Sequence, residues 1–289
     1  MFEGVYTAIV TPFAADGRLD EAAFRSLLEA QVAGGVDGVV PVGTTGESPT
    51  LNMEEHRRVI EIAVEVCRGR IRVIAGTGGN STEEALDLTR QAKEVGADGS
   101  LQVTPYYNKP SQAGLVKHFS AVADTGLPVV LYNIPGRTGI PIALETVVEL
   151  ASHPNIVAVK EAGGSVDQVS HLVRTCDLTI LSGDDMLTLP MMVVGAEGVI
   201  SVASNIIPAE ISSMVHAALD GNWESARKLH GAYHRLFCDL FLETNPVPVK
   251  TALALMGRLT AGFRLPLCEM SPAHQATLEA SLRDSGLIA

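Results

Sequence analysis

The chain has 289 residues, 46% hydrophobic and 19% charged but only 4% aromatic, which is material for one large domain or two modest ones with a Val-, Ala-, Leu- and Ile-rich core. Its formal net charge of −12 excludes the basic surface that nucleic acid or an anionic membrane selects for. The four cysteines are too scattered for a zinc site or disulfide framework, and with no signal-peptide pattern after Met1 and no run of about 18 apolar residues, a cytoplasmic protein is expected.

Short aliphatic runs recur at residues 5–10, 38–42, 71–75, 100–104, 129–133, 156–160, 179–182 and 199–202. Each is followed by a segment of helical periodicity. Ala23, Leu27, Leu28 and Val32 mark the first helix. Val59, Ile60, Ala63, Val64 and Cys67 mark the second, opened by Asn52 and Glu55 at capping-box spacing. Ala85, Leu88, Thr89 and Ala92 mark the third, and further helices are predicted over 115–123, 144–151, 166–174, 187–194 and 209–219. Three joints echo one another: Gly35-Val36-Asp37-Gly38, Gly96-Ala97-Asp98-Gly99 and Gly195-Ala196-Glu197-Gly198 each lead into an aliphatic run. A glycine past a helix end accepts left-handed dihedrals, and the acidic residue can hold the turn through local amides.

Eight alternating strands and helices describe a (β/α)8 TIM barrel, with a doubly wound open sheet as the alternative. From Trp223 the strand pattern stops, and 223–242, 249–261 and 272–287 read as helices. The expected organisation is a barrel over 1–222 and a C-terminal helical extension, 223–289, packed on it.

In a barrel of this kind active sites gather at the C-terminal ends of the strands. The sixth run, Ile156-Val157-Ala158-Val159, ends there on Lys160. The bland account is a lysine snorkelling to solvent. The chemical one is a Schiff-base nucleophile, which attacks a ketone as the neutral amine and is served by an apolar mount, because desolvation disfavours the ammonium. Of the six lysines only Lys250, after Pro246-Val247-Pro248-Val249, has a similar approach, and it lies beyond the eighth run. Gly43-Thr44-Thr45-Gly46-Glu47-Ser48 at the second strand end can converge amides and hydroxyls on a small carboxylate. No Gly-Lys-Ser/Thr follows to make it a nucleotide loop. Asp184-Asp185 reads as a structural turn, and His230 and His234 as ordinary helix residues.

Gly43-Thr44-Thr45-Gly46-Glu47, Tyr132-Asn133-Ile134-Pro135 and Lys160-Glu161-Ala162 together resemble the pyruvate-dependent class I aldolase superfamily that includes N-acetylneuraminate lyase. Thr104-Pro105-Tyr106-Tyr107-Asn108, Arg137-Thr138-Gly139 and Leu181-Ser182-Gly183-Asp184-Asp185 narrow the resemblance to the dihydrodipicolinate synthase family, across essentially the whole chain. The resemblance implies an imine between Lys160 and pyruvate whose enamine attacks L-aspartate-4-semialdehyde, with no metal or organic cofactor. It implies that Tyr132 shuttles protons, linked through Thr44 to a Tyr107 contributed by the neighbouring subunit. Thr44, Thr45, Gly183 and the Ile200 carbonyl would hold the pyruvate carboxylate, and Arg137 that of the semialdehyde. It also implies a homotetramer built as a dimer of dimers, and an L-lysine cleft at Ser48, Leu51, His56, Asn80, Glu84 and Tyr106. Met53 stands where lysine-sensitive members often carry histidine, and Pro49 where a small residue is usual, so weak or moderate inhibition is expected. Two alternatives stay open: another pyruvate aldolase acting on sialic or 2-keto-3-deoxy sugar acids, against which Arg137 argues, and a non-catalytic ligand-sensing barrel.

Overall fold

A computed structural model describes all 289 residues. The chain runs β1 (Gly4–Ala8), α1 (Glu21–Ala33), β2 (Gly38–Val40), α2 (Met53–Cys67), β3 (Arg72–Gly76), α3 (Thr82–Val95), β4 (Gly99–Val103), α4 (Gln112–Ala123), β5 (Val129–Asn133), α5 (Pro135–Thr138), α6 (Leu144–Leu150), β6 (Ile156–Glu161), α7 (Val166–Thr175), β7 (Thr179–Ser182), α8 (Thr188–Val193), β8 (Gly198–Ser201) and α9 (Pro208–Leu219). Three further helices follow: α10 (Trp223–Asp239), α11 (Val247–Leu255) and α12 (Pro272–Asp284). The eight strands pair in parallel and in sequence order, and β1 closes on β8. This is the expected (β/α)8 barrel with a C-terminal helical extension, and it excludes the open sheet.

All eight strands fall within two residues of the predicted runs. Where a run outlasts its strand, a local cause is visible. The Val10 amide leaves the ladder to donate to Asn205 Oδ1 at 3.1 Å, and Val42 turns to φ +51°. The four-residue α5 was not anticipated, and α11 is displaced from the predicted 249–261. Pro248 in its first turn fits a start at Val247, and Gly257 at φ +69° stops it after the Met256 cap.

Two apolar layers divide the interior. Residues on the outer face of the strands pack with the helices into a 60-residue core. The lumen is filled by Phe2, Tyr6, Ala8, Val40, Ile74, Leu101, Val130, Tyr132, Ala158, Leu181 and Ile200. Phe2 meets Tyr6 edge-on at 5.9 Å and plugs the N-terminal end.

The three echoed joints have a common geometry, with Gly35, Gly96 and Gly195 at φ +73°, +97° and +112°. Their acidic residues act differently from the local turn predicted. Asp37 Oδ2 accepts from the Val5 amide at 2.8 Å and Asp98 Oδ2 from the Val73 amide at 2.7 Å, so each carboxylate ties its joint to the preceding strand. Glu197 uses its backbone carbonyl, which accepts from the Gly4 amide at 2.9 Å. The predicted capping box of α2 is present, with Asn52 and Glu55 satisfying each other's amides. No helix is long and apolar enough to cross a membrane.

Candidate active site

Lys160 sits at the C-terminal end of β6 and is 5% exposed. Its direction depends on an irregularity in the β5–β6 ladder: Val129 faces Ile156, yet Val130 faces Ala158, leaving Val157 as an extra residue. Ile156 lies in the outer core, and strict alternation from it would also turn residue 160 outward, against the helices. The bulge reverses the phase, so that Ala158 enters the lumen, Val159 the outer core and Lys160 the lumen side again. Its cross-strand partner is Tyr132, and Nζ stands 4.2 Å from the centre of the Tyr132 ring.

Tyr132, though not Lys160 itself, lines a cavity of about 200 Å³ together with Thr44, Ser48, Tyr106 and Arg137. Arg137, in α5, donates through Nη2 to the Asn245 carbonyl at 3.2 Å. Gly183 packs against the lysine stem, since a Cβ there would stand 3.0 Å from Lys160 Cε and 2.6 Å from the Ala162 methyl. Ile200 is buried in the lumen layer with Tyr132 and Leu181. Thr45 is buried beside the cavity, where its Oγ1 accepts from Asn245 Nδ2 at 2.9 Å. Tyr107 does not join the group: it is 91% exposed, at φ +71°.

Several polar residues frame the site through partners that the sequence reading did not give, while Asp184-Asp185 holds a structural turn as expected. Glu161 accepts from Asn133 Nδ2 at 2.8 Å and from the Gly163 amide at 2.7 Å. Burial pushes its carboxyl above the usual carboxylate range, with those two bonds opposing. Asp185 is also pushed up by burial, opposed by its bonds from Ser201 Oγ and the Val202 and Ala203 amides. These bonds, at 2.5, 3.0 and 2.9 Å, fasten the end of β8, while Asp184 holds the Met186 amide at 2.9 Å. Glu47, at φ +55°, pairs with Lys250 at 2.5 Å with both side chains fully buried. Burial draws the Lys250 ammonium below its ordinary value and Glu47 opposes it. Lys250 is thus occupied behind the Gly43–Ser48 loop, away from the lumen. Apolar spacing reveals none of these partners, because they come together only in the folded chain.

The residues matched to a lysine cleft gather near the same strand ends. Ser48 and Tyr106 line the cavity together with Pro49. His56 Nε2 donates to the Gly76 carbonyl at 3.0 Å, and burial lowers its pKa against that bond. Asn80 accepts through its carbonyl from Asn108 Nδ2 at 2.8 Å. Burial, and secondarily the charge of Glu84, raises the Tyr106 phenol. Leu51 packs on the outer core and Met53 is half exposed. No group of three or more His, Cys, Asp or Glu side chains is arranged to hold a metal ion.

Comparison with known proteins adds three findings. The sequence model of the dihydrodipicolinate synthetase family matches residues 1–285. A 4-hydroxy-tetrahydrodipicolinate synthase of Thermodesulfovibrio yellowstonii is 52% identical over 100% of both chains. Two solved structures are 43% identical. The dihydrodipicolinate synthase of Acinetobacter baumannii, described as chloride-inhibited and complexed with pyruvate, superposes with a TM-score of 0.98 and full coverage of both chains. That of Cyanidioschyzon merolae, with lysine bound, gives 0.96 with 99% coverage of each.

Proposed function

Because the chain belongs to the dihydrodipicolinate synthetase family, we propose that it is the lyase that condenses pyruvate with L-aspartate-4-semialdehyde, the first committed step toward diaminopimelate and lysine. The observation that carries this reading is Lys160, turned by a bulge toward the lumen, 4.2 Å from the ring of Tyr132, which lines a cavity with Thr44 and Arg137. The Lys160 amine attacks the pyruvate ketone and water leaves, giving an imine on the protein with no further cofactor. Loss of a methyl proton yields the enamine, whose carbon bonds to the aldehyde carbon of the semialdehyde. The substrate's own amine then displaces Lys160, closing the ring and freeing the enzyme. Tyr132 moves the protons, relayed through Thr44 to Tyr107 of a neighbouring copy. Thr44 and Thr45 receive the pyruvate carboxylate, Gly183 and the Ile200 backbone carbonyl flank the bound pyruvate, and the Arg137 fork receives the carboxylate of the semialdehyde.

The barrel, residues 1–222, carries this chemistry, and 223–289 supports it from behind. A homotetramer, a cytoplasmic location and weak to moderate L-lysine inhibition through Ser48, Leu51, His56, Asn80, Glu84 and Tyr106 complete the reading. Borohydride reduction in the presence of pyruvate tests its core. A pyruvate-derived mass is expected on the Lys160 peptide, and its absence overturns the mechanism. A coupled assay should show aspartate semialdehyde consumed far faster than N-acetylmannosamine or sugar aldehydes are used.

A further inference from the structure

The Thr44–Glu47 loop lies between the cavity and the C-terminal helical region. Thr44 lines the cavity. Thr45 and Glu47, two residues apart, are buried and engage the C-terminal helical region. Asn245, just ahead of α11, donates to Thr45 Oγ1 at 2.9 Å. Lys250, within α11, bonds Glu47 at 2.5 Å, and its Nζ also stands 4.4 and 5.2 Å from the Phe13 and Phe263 ring centres. The loop is bent, with Val42 and Glu47 at φ +51° and +55°, a conformation that persists only where surroundings over-determine it. Thr11 adds a third tie, donating to the Gly46 carbonyl at 2.6 Å. A fully buried ion pair is poor evidence of stabilisation, because desolvation offsets its attraction; holding a geometry is the better reason for it. Thr45 Oγ1 accepts from Asn245, so its own hydrogen is left to donate, and no protein atom takes it. A bound carboxylate would.

We propose that Asn245 and Lys250 are positioning residues for pyruvate recognition: the C-terminal helical region grips the loop at Thr45 and Glu47 so that the Thr45 hydroxyl presents its hydrogen to the pyruvate carboxylate. The proposal rests on the reading that pyruvate binds Lys160 with its carboxylate on this loop. It separates two roles of one residue, because the Asn245 side chain serves Thr45 while its backbone carbonyl holds Arg137. Asn245→Asp supplies a pure acceptor, which draws the Thr45 hydrogen away from pyruvate. Glu47→Gln/Lys250→Met removes the buried charges together, avoiding the unpaired Glu47 that Lys250→Met alone would leave.

The test is the pyruvate concentration that half-saturates borohydride trapping on Lys160 in the full-length protein, together with KM for each substrate and the thermal midpoint. Loss of one charge-assisted bond predicts a roughly 10- to 100-fold rise in half-saturating pyruvate for Asn245→Asp. The semialdehyde KM should stay within about threefold, since the backbone partner of Arg137 is retained. The double variant should also bind pyruvate more weakly while kcat at saturation changes less. Half-saturation equal to wild type in either variant, whatever the thermal midpoint does, overturns the proposal. Absence of any pyruvate adduct on wild-type Lys160 would instead overturn the reading beneath it.

Discussion

Lys160 shows how much a single inserted residue decides. The strand that carries it is plain in the sequence as four apolar residues before a lysine, but the face on which the lysine emerges is not. Period-two alternation from the outward Ile156 gives the wrong side, and only Val157, unpaired in the β5–β6 ladder, turns Lys160 toward Tyr132. Thr44, Tyr132 and Arg137 were legible because each belongs to a local motif at a strand end. Asn245 and Lys250 were not, since their partners lie 200 and 203 residues away. On the proposed mechanism, Lys160→Ala leaves a folded protein that forms no pyruvate adduct, with turnover lower by at least about 10³-fold. Tyr132→Phe keeps the ring beside Lys160 but removes the hydroxyl, and should cost roughly 10²–10⁴-fold in kcat while the adduct still forms. Arg137→Ala should raise the semialdehyde KM by roughly 10- to 100-fold with a much smaller effect on pyruvate trapping. Steady-state kinetics paired with the trapping assay distinguish the three.

Between elements, the same apolar periodicities that gave the strands and helices say little about the polar ties connecting them. Asp37 and Asp98 fasten joints to neighbouring strands rather than to their own turns, because a parallel strand leaves an amide free at its N-terminal end, where the joint passes. Helices α3 and α4 meet at another such tie, the hydrogen bond between Thr82 Oγ1 and His118 Nδ1 at 2.9 Å, while His118 Nε2 is buried without a partner. Burial lowers the His118 imidazole to about 4, so the folded chain binds this proton less readily than the unfolded chain does. The stability it contributes is complete above the unfolded value near 6.5 and is lost as pH falls from there toward 4. A displacement of that size is worth on the order of 3 kcal/mol. Thermal or urea unfolding followed from pH 7 to pH 4 should show this loss, and His118→Asn should flatten the profile over that interval even where its own packing lowers stability throughout. A variant as acid-sensitive as wild type would place the effect on other groups.

On the scale of the whole molecule, closure of the barrel was readable because eight similar units at regular spacing permit few other arrangements, whereas contacts between copies leave no periodicity to read. Tyr107 is where this matters. Its side chain is 91% exposed, in a loop with both Tyr107 and Lys109 in the left-handed region and Asn108 pinned to the Asn80 carbonyl. Backbone strain of this kind costs of order 1–3 kcal/mol per residue, an outlay without return if the tyrosine only faces water. If Tyr107 completes the site of a second copy, two inactive variants should rescue each other. Lys160→Ala retains Tyr107, and Tyr107→Phe retains Lys160, so a mixed dimer contains one site with both groups. Random pairing of equal amounts makes half the dimers mixed, and one good site in each gives the unfractionated mixture about a quarter of wild-type activity and the isolated mixed dimers about a half. Co-expressing the two chains with different tags, purifying through both and assaying the mixed species measures this directly. A tyrosine serving its own chain leaves the mixture no more active than the sum of its parts, because the chain that has the lysine then lacks the hydroxyl.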